Sequence, residues 1–63
     1  MLDLTTAIID FENGDLLEQE IFELFQALID TGMIYHLQGS YQRFAQMLLD
    51  EGQITIKNEK NYN

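Results

Sequence analysis

The chain has 63 residues, with 11 Asp and Glu against 3 Lys and Arg, a formal net charge of -8 and a pI of about 4.1. Cys, Trp and Pro are absent and there is one His. This length limits the chain to one domain, and the missing Cys excludes a disulfide framework, thiol catalysis and a Cys-based zinc site. Direct binding to nucleic acid is disfavoured, because phosphate contact needs a Lys/Arg footprint. An apolar content of 46% is that of a globular chain rather than a disordered one. Domains of this size bury only about 60% of the surface that the unfolded chain exposes. Without disulfides, stability must come from tidy helix packing or from self-association. No window approaches the ~20 apolar residues of a membrane span. The start, Met1-Leu2-Asp3-Leu4, has no basic region of the kind that opens a secretory signal. The expectation is a soluble protein of the cell interior.

The glycines Gly14, Gly32, Gly39 and Gly52 divide the chain. In the first segment Leu4, Ala7, Ile8 and Phe11 fall at i, i+3, i+4 and i+7, one stripe of a helix, and Asn13-Gly14 ends it. The second opens on Asp15-Leu16-Leu17-Glu18, a capping-box pattern, and predicts a helix over about 16–30. Its stripe is Leu17, Ile21, Leu24 and Leu28, widened by Phe25, with Gly32 as the stop. Met33 to Gln38 reads as a turn or two of helix, or as an ordered connection. Ser40 is a good N-cap for a further helix, whose stripe is Tyr41, Phe44, Ala45 and Leu48, and Gly52 closes it. Ile54 and Ile56 alternate with polar residues, so 53–56 reads as a short extended piece, laid on the helices or paired with another chain. The expected architecture is all-α: a small bundle of three main helices plus a short helical turn, with a short extended C-terminal segment. The domain spans 1–56, and 57–63 reads as a polar, frayed tail.

Chemistry is thinly represented. Setting Gly14 at position 6 of a calcium-binding loop places Ile9 and Phe11 at positions 1 and 3, where oxygen ligands are required. A metal site fails on that ground, and no cofactor motif is present. His36 stands between Tyr35 and Leu37 with no motif around it, so no catalytic residue is assigned and an enzyme is not expected.

Charge is more informative. Ten acids face a single base, Arg43, over the first 56 residues. Gln19, Glu23, Gln26 and Asp30 recur at spacings of 4, 3 and 4, opposite the apolar stripe, and Asp3, Asp10, Glu12, Asp15, Glu18 and Glu20 add negative charge on and around the first two helices, Asp15 and Glu20 extending this face. A solvated surface explains such a pattern. The sharper reading is an acidic partner-binding face that docks on a basic protein and imitates nucleic acid. Ile9, Phe22 and Ile29 lie off the main stripes. They belong either to a wide core face or to a self-association patch.

Three stretches carry a family likeness: Glu23-Leu24-Phe25-Gln26, Leu28-Ile29-Asp30-Thr31-Gly32, and Leu37-Gln38-Gly39 followed by Tyr41, Arg43 and Ala45. Over about 8–52 the chain resembles an uncharacterised family of small acidic proteins encoded by bacteriophages. The resemblance implies a phage origin and a place in the host-cell cytoplasm, and assigns no activity. Short phage proteins commonly bind and disable host machinery. The expected function is therefore a non-enzymatic inhibitor or modulator of a host nucleic-acid enzyme or defence complex, bound through its acidic face. The alternative is a homo-oligomeric structural or accessory protein, with a homodimer the simplest form.

Overall fold

A computed structural model describes residues 3–56, and the tail expected over 57–63 lies outside the described residues. Three α-helices and one short 3-10 helix account for most of that span, with no strand among the described residues. The all-α expectation holds.

Helix α1 runs Leu4–Asn13. Asp3 caps it: one carboxylate oxygen accepts from the Thr5 N–H at 3.2 Å and the other from the Thr6 hydroxyl at 2.9 Å. At the far end Gly14 takes φ 77°, which a side chain would resist. Its N–H donates to the Phe11 carbonyl at 3.1 Å, and the Asp15 N–H donates to the Asp10 carbonyl at 2.8 Å. These two bonds form a Schellman motif that satisfies two orphan carbonyls of the helix end.

That motif corrects the sequence reading of α2. Because its N–H is drawn back to Asp10, Asp15 belongs to the end of α1 and does not cap the next helix. Helix α2 runs Glu18–Thr31 instead of beginning at Leu16. Leu17 takes the N-cap position, and its N–H donates to the Glu20 carboxylate at 2.9 Å, so the expected Asp15–Glu18 box does not form. The same shift corrects the apolar stripe: Leu17 is 71% exposed, and Leu16 packs against the core in its place.

The 3-10 helix Met33–His36 follows, and then α3, Gly39–Asp50. The N-cap of α3 is Gln38, with no side-chain capping bond, and Ser40 lies one residue inside the helix, which corrects the expected cap. The Schellman motif recurs at its end. Gly52, at φ 77°, donates to the Leu49 carbonyl at 3.1 Å, and Gln53 to the Leu48 carbonyl at 2.9 Å.

The core comprises Ala7, Leu24, Phe25, Leu28, Ile34, Tyr41, Ala45, Leu48 and Ile54, drawn from every element. Its densest part is aromatic. Phe25 meets Phe11 edge-on at 5.2 Å and Phe44 at 4.9 Å between ring centres, and stacks on Tyr41 at 5.9 Å. Three helices are thereby joined through one ring, each pair adding about 1 kcal/mol beyond its area burial.

Residues 53–56 form a strap across α2. Ile54 is 3% exposed. The Gln26 side-chain amide pairs with the backbone of Thr55, donating to its carbonyl at 2.7 Å and accepting from its N–H at 3.0 Å. An amide replacing a strand neighbour satisfies both backbone groups of the segment.

Each α-helix also carries a carboxylate in its last turn and no base there: Glu12, Asp30 and Asp50. Negative charge is unfavourable at that end of the helix dipole, by about 0.3–1 kcal/mol each. Neutral donors hold all three. The Tyr41 hydroxyl donates to Glu12 at 2.5 Å, Gln26 to Asp30 at 3.1 Å, and Gln46 to Asp50 at 3.0 Å.

Candidate functional site

Two adjoining grooves are lined by five of the ten acids among the described residues. The narrower, about 190 Å³, lies between α1 and α2. Asp3, Asp10, Glu20 and Glu23 line it around Ala7 and Leu16. The wider is a shallow trough of about 450 Å³ on the other flank of α2, lined by Gln19, Phe22, Glu23, Gln26, Ala27, Asp30 and Gln53. Glu23 lies on both. The α2 row Gln19, Glu23, Gln26 and Asp30 stays together on the wide trough, and Glu23 alone of the row also borders the groove against α1.

The fold accounts for each position. The cap at Leu17 fixes where α2 starts, and with it which side Gln19, Glu23, Gln26 and Asp30 share. Seven residues separate Asp3 from Asp10, two helical turns, so both meet α2 on one side of α1. Among the expected partner-binding residues, Gln19, Glu23 and Asp30 line the wide trough. Gln26 does too, but its amide is engaged by Thr55 and Asp30, so it acts as a clamp. Glu20 lines the narrow groove while capping α2. Asp15 is exposed in the α1–α2 turn and lines neither. Of the off-stripe apolar residues, Phe22 and Ile29 are half-buried against the core, and Phe22 forms the floor of the wide trough. Ile9 is 53% exposed. His36 is exposed at the end of the 3-10 helix.

Burial, then the hydrogen bond to Glu12 and the charge of that carboxylate, push the Tyr41 phenol up to about 12. It remains a neutral donor over the whole physiological range and cannot act as a base there.

The stretches behind the family likeness supply five of the nine core residues. Leu24, Phe25 and Leu28 are fully buried, and Tyr41 and Ala45 lie in the core. Arg43 folds back over Gly39, its Nη1 3.6 Å from where a Cβ would stand. A family model described as a domain of unknown function, DUF7417, matches residues 1–61. The chain belongs to that family. No curated protein and no solved structure matches it.

Within this DUF7417 domain, Asp3 and Asp10, counted from sequence among the acids of the first two helices, line the narrow groove, whereas sequence reasoning missed Gln53 as a groove-lining residue. Gln53 gave no signal, because its place depends on how the strap crosses α2. No helix among the described residues is long and apolar enough to cross a membrane.

Proposed function

We propose that the chain is a non-enzymatic phage protein of the host cytoplasm that docks its α1–α2 carboxylates on a basic protein surface and so inhibits a host nucleic-acid enzyme or defence complex. The observation that carries the reading is the position of Glu23. It joins the Asp3, Asp10 and Glu20 side to the Asp30 side, while the one base among the described residues, Arg43, belongs to α3. Charge at helix C-termini adds support. A chain under no demand for negative potential gains stability by placing neutral or basic residues there.

Nucleic-acid mimicry needs a sufficient charge density. Glu23 and Asp30 are seven residues apart, about 10 Å along the helix. One DNA strand sets about three phosphates in that distance. The α2 row alone is too sparse, and mimicry requires the α1 carboxylates as well.

The test is affinity capture from host lysate with the tagged chain and with a Glu23→Lys/Asp30→Lys variant. Both positions are exposed, and Lys near the end of α2 suits the dipole, so the variant should fold. Binding through the acidic face predicts a partner with a basic groove, capture that weakens steeply with salt, and at least ~10-fold loss in the variant. Capture that survives both reversals unchanged rejects the proposal.

A further inference from the structure

The 53–56 strap is part of the wide trough as well as part of the core. Gln53 lines the trough with Phe22 and Asp30, while Ile54, the next residue, is buried. Any movement of the strap therefore changes the trough wall.

Few groups hold the strap down. The Gln53 N–H belongs to the end of α3, where it donates to the Leu48 carbonyl. Beyond that point, the hydrogen bonds that fix the strap among the described residues are the two between Gln26 and Thr55. Gly52, in the left-handed conformation, joins the strap to α3. A segment attached by one buried side chain and one amide opens more readily than helices with complete backbone ladders. The amide is itself a lining group of the trough. Its Nε2 donates to the Thr55 carbonyl and to Asp30 together, at 2.7 and 3.1 Å. Asp30 thereby fixes which way round the amide sits, nitrogen toward the strap carbonyl and oxygen toward the strap N–H.

We propose that the strap is a hinged wall of the wide trough, latched by Gln26, and that the trough is complete only while the strap is docked. The occupant rests on the acidic-face reading: a lysine or arginine side chain of a basic partner, its stem over Phe22 and Ala27 and its charge against Glu23 and Asp30. An occupant that also touches Gln53 binds the docked form in preference. Docking and binding then strengthen each other by the same factor.

Hydrogen exchange of the intact chain, with and without an octalysine peptide in about 20 mM salt, tests this. Without peptide, the Thr55 amide should exchange at least ~10-fold faster than the Leu28 amide inside α2, because the strap opens while the helices stay folded. With peptide at about ten times its Kd, exchange at both amides should slow by about 10-fold, since neither the open strap nor the unfolded chain holds the peptide. Ile54→Ser unseats the strap without changing a residue that lines the trough, and circular dichroism checks its helices. It should weaken peptide binding about 10-fold, the factor expected when a tenth of the molecules remain docked. Slowing at Leu28 alone overturns the proposal, because the peptide then binds open and docked forms equally. Thr55 and Leu28 exchanging at one rate, or a peptide that does not bind, overturns it too. Peptide binding that is lost in Glu23→Lys/Asp30→Lys but leaves Thr55 exchange unchanged removes the hinged wall and keeps the acidic face.

Discussion

Replacing Tyr41 with Phe removes one oxygen and leaves the aromatic cluster its shape. At neutral pH the lost interaction is a short bond to a carboxylate that is itself exposed, so water competes for it. The net cost is about 1 kcal/mol, which lowers Tm by about 4–8 °C in a domain this small. Alkaline pH reverses the comparison. The unfolded chain releases the Tyr41 proton near its ordinary value of 10.0, and the folded chain holds it to about 12. Between those values the unfolded state binds fewer protons, so wild-type stability falls as pH rises. The contribution is fully present below about pH 10 and gone above about pH 12, with a ceiling of ~3 kcal/mol. The Phe variant has no such proton to lose. Urea denaturation of both proteins across that range should show wild type the more stable below pH 10, with the gap closing and reversing toward pH 12. Two curves that stay parallel throughout would refute the assignment of the raised phenol to Tyr41 in its buried site.

Three further outcomes test the fold. Ile54→Ala should cost about 2 kcal/mol by thermal melting, low in the range for a buried Ile because the 53–56 strap lies outside the helices and can relax into the cavity. Gln26→Ala should leave the helices intact and sharply speed hydrogen exchange at the Thr55 amide, since that N–H loses its acceptor. Leu17→Lys should change stability by no more than about 0.5 kcal/mol, whereas Leu16→Lys should destabilise by several times as much, because only Leu16 packs on the core.

The helices were readable where periodicity and glycine agree. The stripes of α1 and α3, and the stops at Gly14, Gly32 and Gly52, follow from local chemistry: apolar residues at helical spacing, and a backbone able to adopt the left-handed turn. Helix starts were harder. Asp15 and Ser40 are both good caps in isolation, but a cap is worth only about 1 kcal/mol and neighbouring demands outweigh it. The Schellman bond claimed Asp15 for the preceding helix, and burying Leu16 fixed the register that followed. Gln26 shows the limit for the site. On a helical wheel it is one more polar residue of the acidic row. Its role as a clamp depends on a backbone segment 29 residues further along, which no local pattern reveals. Glu23 was legible as a surface acid, and its position between two grooves was not, because that depends on the packing of α1.

The carboxylates at the helix ends bear on how this domain would respond to selection for stability alone. Asp30→Asn and Asp50→Asn are single-base changes that would relieve an unfavourable dipole interaction and leave a side chain that can still hydrogen-bond. Stabilising substitutions of this kind are usually easy to find in natural proteins. A library selected only for heat resistance should therefore lose acids from these ends first, whereas one selected for partner capture should retain them. Comparing the two would separate the charge that binding requires from the charge that solubility alone requires.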